Sequence, residues 1–347
     1  MSTFEIGGQS VAPGTRTRVE LPVANLYTNT PVTVPVQVIR GKAAGRRVFI
    51  SAALHGDEIN GVEIIRRLMK MPQLDQLRGT LLAVPIVNTL AFLHQSRYLP
   101  DRRDLNRSFP GSETGSLAAR LAYRFINEVV RGSDFGIDLH TGALHRPNLP
   151  QIRGDLAHAD TLRLCRAFGV PLVLNSEPTG GTLREYTTRQ NIPVILYEAG
   201  EALRFDEVCI RIGVQGVLNV LYELEMLDRP ADAARDVPVE PVIARSSSWV
   251  RAPESGMLRA QVGLGEVVRA GQCLALVGDP FGETERETFS PVDGVIIGRL
   301  SLPLVHEGDA LFHIAKVDNP AAVGRALERM HRQTAADRGR SGEPAIS

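Results

Sequence analysis

Residues 48–69, VFISAALHGDEINGVEIIRRLM, decide the fold. Val48 to Leu54 is an apolar run of strand length, and Val62, Ile65 and Leu68 or Met69 then recur at helical spacing. Between them lies His55-Gly56-Asp57-Glu58. A strand leading straight into a helix places its histidine and its carboxylate on one side of a first helical turn, about 5–6 Å apart at Cβ. Imidazole and carboxylate together suit zinc. The competing reading of the same four residues is a capping Asp57 beside an unrelated histidine.

The alternation continues outward to about residue 227. Val48–Leu54, Leu81–Val87, Phe135–Leu139, Leu172–Leu174 and Val194–Tyr197 read as strands, and helical periods lie near 57–70, 116–131, 158–168 and 205–226. Ser116 is placed to cap the second of these. Apolar strands alternating with helices predict an α/β fold with a mostly parallel central sheet and helices on both faces. Residues 1–45, interrupted by Pro22, Pro31 and Pro35, read as a β extension of edge strands, and 46–228 as the catalytic domain. Residues 229–246 are rich in Pro, Ala and charge and read as a linker; 247–316, punctuated by glycines, read as a C-terminal all-β domain. Residues 317–347 are expected to be helical, then disordered from "TAADRGRSGEPAIS".

Composition narrows the function. Lys+Arg and Asp+Glu both number 39, so no net field recruits nucleic acid or an anionic membrane. No run of 18 apolar residues occurs, and Met1–Pro22 has no apolar leader core, which predicts neither a spanning segment nor secretion. Cys165, Cys209 and Cys273 are odd in number and widely spaced, which fits a reducing cytoplasm better than a disulfide framework.

Three ionisable motifs end three of the predicted strands: His55 with Glu58, Asp138-Leu139-His140-Thr141-Gly142, and Tyr197-Glu198-Ala199-Gly200. A parallel sheet delivers the carboxyl ends of its strands to one edge, where ligands bind. His55, Glu58 and His140 then form a two-histidine, one-carboxylate set with a position left open, the arrangement of catalytic rather than structural zinc. Glu198 stands as the carboxylate that takes a proton from water and passes it to a leaving nitrogen. Asp138 shares a strand face with His140 and reads equally as its orienting partner or as a sheet-edge cap. The loop SRYLPDRRDLNRSFPG, 96–111, gathers Arg97, Arg102, Arg103 and Arg107 around Asn106. Such a cluster binds a carboxylate or an oxyanion, or is a solvated loop paired to Asp101 and Asp104.

H-G-D-E (55–58), D-L-N-R (104–107), D-L-H-T-G (138–142) and E-A-G (198–200), in this order, resemble the aspartoacylase/succinylglutamate desuccinylase family, within the broader zinc carboxypeptidase-like fold. The resemblance covers roughly residues 46–225. It implies that His55, Glu58 and His140 bind one zinc per chain, that Glu198 is the general acid/base, and that Asn106 and Arg107 hold the substrate α-carboxylate. It further implies that Arg97 polarises the scissile carbonyl and that Arg189, or its neighbour Arg184, meets an acidic substrate side chain. His94, His145, His158, His306, His313 and His331 lack such context and read as surface or packing residues, with His145 kept in view because it follows D-L-H-T-G. Thr179-Gly180-Gly181-Thr182 reads as a turn near the site rather than a phosphate cradle.

The 247–316 region resembles a lipoyl/biotinyl-type β domain, yet no lysine occurs between Lys70 and Lys316, so carrier chemistry is missing. It is expected either to wall the cleft or to mediate a homo-oligomer. The expected activity is zinc-dependent hydrolysis of the amide bond in a small N-acyl amino acid, N-succinyl or N-acetyl among them. The alternatives are a zinc carboxypeptidase acting on peptides and a non-catalytic metal-binding descendant of such an enzyme.

Overall fold

The computed structural model describes residues 4–230 and 240–341, with 331–341 described by backbone alone. The chain opens on a small hairpin, β1 (Phe4–Ile6) and β2 (Gln9–Val11), followed by two long strands, β3 (Thr15–Asn25) and β4 (Pro31–Arg40). Then come β5 (Ala43–Ala52), α1 (Asn60–Leu68), β6 (Arg78–Val84), α2 (Thr89–Leu93) and α3 (Leu117–Phe125), and β7 (Phe135–Gly142), β8 (Asn148–Gly154), α4 (Ala159–Phe168) and β9 (Leu172–Asn175). α5 (Leu183–Arg189), β10 (Val194–Glu201) and α6 (Glu207–Glu223) complete the α/β part.

The strands β6, β5, β7 and β10 lie side by side and parallel, as the apolar runs predict. Successive residues of β5 face opposite ways. Val48, Ile50 and Ala52 pack with Ile64, Ile65 and Leu68 of α1 and with Val217 and Leu221 of α6. Phe49 packs instead with Leu121, Ala122 and Phe125 of α3. Helices therefore cover both faces. Ser116 caps α3, its side chain accepting from Ala119 N.

The sheet is mixed, however, rather than mostly parallel. β4 joins β6 antiparallel and β3 joins β4 antiparallel. The N-terminal segment read as an extension is thus an edge of the central sheet, and residue 45 falls inside β5. On the other side β8 pairs antiparallel to β10 and parallel to β9. The linker reading also changes: β11 (Val242–Ala244) pairs with β9 and so belongs to the sheet, while 231–239 lie outside the described residues.

The C-terminal region is all-β. It comprises β12 (Ser246–Arg251), β13 (Gly256–Ala260), β14 (Val267–Val268), β15 (Cys273–Gly278), β16 (Glu285–Phe289), β17 (Gly294–Arg299), β18 (Leu304–Val305) and β19 (Ala310–Lys316). β16, β15, β13 and β18 form a separate sheet. β12, β19 and β17 extend the central sheet, with Gly298 of β17 opposite Asn148 of β8. Leu258, Leu274, Ile296, Leu311 and Ile314 form an apolar core shared by the two. The last helix, α7 (Pro320–Ser341), docks Val323, Leu327 and Met330 into the core of the α/β part. Residues 334–341, read as disordered, are helical, and 342–347 lie outside the described residues. Among the described residues no helix is long and apolar enough to cross a membrane.

Candidate metal centre and active-site cleft

The C-terminal ends of β5, β7 and β10 meet at one edge of the sheet. His140 on β7 stands in register with Glu198 on β10. His55 and Glu58 lie in the turn between β5 and α1, closed by Glu58 N donating to His55 O at 3.2 Å, so they precede the helix rather than ride on its first turn. Gly56 is required there by close approach. A Cβ at this position would meet the backbone carbon of Ala91 at 2.0 Å, because the turn passes directly over α2.

His55, Glu58 and His140 are all buried, and their ligand atoms lie within 4.8 Å of one another. Glu58 Oε1 is 2.7 Å from His55 Nδ1, and Glu58 Oε2 is 2.6 Å from His140 Nδ1. Each imidazole has a carboxylate behind it. His140 Nε2 lies 2.8 Å from Asp138 Oδ2, and His55 Nε2 lies 3.1 Å from Asp104 Oδ1. Ser51 Oγ donates to the other oxygen of Asp138 at 2.7 Å, so Asp138 faces its histidine rather than capping the sheet edge. Two Nδ1 atoms and one carboxylate facing inward, with both Nε2 protons taken outward, match the way metal-ligating histidines are oriented. The donor set fits zinc.

Burial opposes every charge at this site, but mutual attraction outweighs it. Glu58, between two imidazoles, is held well below the usual carboxylate range. Glu58 and Asp104 raise His55, and Asp138 and Glu58 raise His140 well above its ordinary value. Asp104, against His55 and Arg97, is likewise held low. The carboxylates Glu58, Asp104 and Asp138 thus stabilise positive charge on the two imidazoles.

A cleft of about 290 Å³ opens from the cluster. Arg97 lies at its edge, donating to Asp104 Oδ2 at 2.9 Å and standing 3.5 Å from Glu58 Oε1. Asn106 and Arg107 line the cleft too, with the Asn106 carbonyl oxygen of the side chain accepting from Leu183 N at 3.0 Å. Glu198 faces them, held by an ion pair with Arg153 at 2.7 Å and by a hydrogen bond from Asn148 Nδ2.

Arg184 lines the cleft and Arg189 does not. Arg184 is fixed by Ser176, whose backbone oxygen and Oγ accept from it at 3.1 and 2.8 Å, and burial together with Arg153 lowers its pKa. Arg189 is 75% exposed and pairs with Glu185 on its own helix, which corrects the expectation that it reaches the substrate. Thr182 caps α5 and lines the cleft with Thr179. His145 lies outside the ligand cluster, on an adjoining groove.

Sequence reasoning missed Asp104 as a partner of His55, although it begins the D-L-N-R motif. Asn148 and Arg153 were hidden in β8, and Trp249 comes from the C-terminal β region. Trp249 lines the cleft with its ring stacked on buried His313, centroids 4.2 Å apart and planes 6° apart.

The profile of the succinylglutamate desuccinylase/aspartoacylase catalytic domain matches residues 44–224. The N-alpha-acetyl-L-2,4-diaminobutyric acid deacetylase of Halomonas elongata is 28% identical over 317 residues, covering 86% of this chain and 90% of that protein. Among solved structures, a succinylglutamate desuccinylase/aspartoacylase from Rhodobacter sphaeroides superposes with a TM-score of 0.77 at 24% identity, covering 87% of this chain and 95% of that one. The product-bound ectoine utilization protein EutE (DoeB) from Ruegeria pomeroyi gives 0.77 at 23% identity, with coverage of 87% and 95%. At these identities the structures establish the fold alone.

Proposed function

This chain belongs to the succinylglutamate desuccinylase/aspartoacylase family, whose members are amide-hydrolysing deacylases, and from that premise we propose that it is a zinc-dependent amidohydrolase acting on a small N-acyl amino acid. The observation that carries the reading is the buried trio His55, Glu58 and His140 with Glu198 across the same cleft. One zinc per chain would be held by the two Nδ1 atoms and the Glu58 carboxylate. When bound it would supply Lewis acidity and make water a nucleophile near neutral pH.

The remaining chemistry falls to the side chains. Glu198 accepts the proton of the attacking water and delivers it to the leaving nitrogen. Arg153 and Asn148 keep that carboxylate aimed into the cleft. Arg97, its guanidinium anchored by Asp104, stabilises the negative charge that develops on the carbonyl oxygen. Asn106 and Arg107 receive the carboxylate of the amino acid, and Arg184 presents a second guanidinium for an acidic group. The confined cleft, walled by Trp249, suits small substrates better than peptides. Three free cysteines suit a reducing cytoplasm.

The test is a panel of N-acyl amino acids, N-acetyl-2,4-diaminobutyrate and N-succinylglutamate included, set against short peptides and run with zinc-loaded protein. Glu198→Ala should retain metal while losing about 10²–10⁴-fold in rate on the best substrate, the range of general acid–base catalysis. Full activity in that variant would overturn the mechanism, and a preference for peptides would replace it with the carboxypeptidase reading.

A further inference from the structure

The cleft has a second arm. Arg97, Ala143 and Arg146 line both the catalytic cavity and an adjoining groove of about 350 Å³ between the D-L-H-T-G loop and the C-terminal β region. Glu198, Arg107 and Arg184 line the first chamber and not the second. Resting on the deacylase reading, this division gives the substrate a direction. Glu198 must protonate the leaving nitrogen, so the amino-acid half lies in its chamber, among the guanidinium groups. The acyl half then points away, past Arg97 and Ala143, into the groove.

One wall of the groove is Leu144, Leu300, Leu302 and Leu304. Leu144, Leu302 and Leu304 are 46%, 40% and 70% exposed, so apolar surface is left open to water beside the reacting centre. The wall is built rather than incidental. Ser301 N and Oγ both donate to His145 O, at 2.9 and 3.1 Å, which pins the leucine-bearing loop to the loop that follows His140. Asp57 and Asp309 also line the groove, and their carboxylates oppose an anionic acyl group such as succinyl. Arg97 does not offset them, because Asp104 and Glu58 already engage it, and Arg146, shared with the catalytic chamber, leaves one cation against the two carboxylates.

We propose that this groove is the acyl subsite and that it takes a neutral aliphatic acyl chain longer than acetyl. The acyl chain is bound by the leucine wall, while the catalytic chamber holds the amino acid.

The test is a matched series of N-acetyl, N-butanoyl, N-hexanoyl and N-succinyl derivatives of one amino acid. Each methylene entering the groove should raise kcat/KM about two- to fourfold, full burial giving the upper figure. The Leu302→Asp and Leu304→Asp variants should abolish that rise with chain length, and an unchanged circular dichroism spectrum shows that they fold. If the N-acetyl or N-succinyl derivative is the fastest, or if the leucine variants slow every member alike, the acyl-subsite inference is overturned and the deacylase reading stands. If no member of any such series is hydrolysed, the deacylase reading itself falls, and the subsite with it.

Discussion

Asp104 Oδ1 lies 3.1 Å from Nε2 of His55, on the side of the ring away from Glu58. The same carboxylate accepts from Arg97 through its other oxygen at 2.9 Å. One side chain thereby fixes the orientation of the His55 ring and the position of the guanidinium beside it. Asp104→Asn should weaken zinc binding about 10- to 100-fold, as loss of such partners does in other metal sites. Competition against a chelator would measure this, and unchanged affinity would reduce Asp104 to an anchor for Arg97. Asp138→Asn, behind His140, should act in the same way.

Trp249 is the only tryptophan in the chain and it faces the catalytic chamber. Its intrinsic fluorescence should therefore change saturably when an N-acyl amino acid or the product amino acid enters. Trp249→Leu keeps an apolar wall but loses the aromatic contact, which should raise KM about two- to tenfold with a smaller effect on kcat. An emission spectrum indifferent to saturating ligand would place the substrate away from this wall.

His313 supplies a pH dependence of stability separate from the metal site. Burial, reinforced by the positive charge of Arg153, pushes its imidazole down to about 3. Its Nε2 meets Ser247 Oγ at 2.7 Å, and its Nδ1 is buried without a partner, so the fold holds the ring neutral. The unfolded chain takes up that proton near pH 6.5, about the reference value for histidine. Between the two values the unfolded state binds more protons, so this contribution to stability is lost as pH falls from about 6.5 towards 3. Thermal melts at stepped pH should show a shallower acid decline for His313→Gln than for the natural protein. Parallel curves would remove His313 as the cause.

The parallel core and the convergence of His55, Glu58 and His140 were legible because both rest on local patterns. Apolar runs end at ionisable motifs, and adjacency of β5, β7 and β10 brings those motifs together. β8 was not legible. Its sequence, NLPQIRG, carries Pro150, Gln151 and Gly154, which no alternation rule reads as a buried strand. It is a strand because β10 and β9 pair with it on either side, a long-range fact. With it went the mixed order of the sheet and the two side chains that hold Glu198. Arg184 and Arg189 were inseparable for another reason. Five residues apart on one helix, they project about 140° apart, and only the docking of α5 decides which faces the cleft.

Arg67 binds α1 to α6. It donates to both carboxylate oxygens of Glu207, at 2.8 and 2.7 Å, and to Glu63 at 2.8 Å, and Glu207 also holds Arg211 of its own helix. Glu207 is held down to about 2, chiefly by the bond from Arg67. Replacing Arg67 with Met leaves Glu63, itself mostly buried, with one partner fewer, and should lower stability by about 1–3 kcal/mol. Denaturant unfolding would read the difference, and metal content should stay unchanged because the bridge lies away from the ligands. A loss of metal in Arg67→Met would instead mean that the position of α1 controls the site.

Gly56 poses the sharper question of how the ligand turn is held. The space a Cβ would need is occupied by backbone atoms, Ala91 C at 2.0 Å and Phe92 N at 2.2 Å. α2 cannot easily retreat, because Asn88 caps it through Ala91 N at 3.1 Å while donating to Leu54 O at 3.0 Å. That second bond ties α2 to the same end of β5 from which the turn departs. In Gly56→Ala the turn must therefore move, carrying His55 and Glu58 with it. Overpacking of this kind costs about 1–3 kcal/mol. The variant should melt at a lower temperature and should bind zinc more weakly than the natural protein at equal concentration. A Gly56→Ala protein with natural stability and full metal content would show that the turn and α2 can separate, and that Gly56 is not what sets the spacing of the ligands.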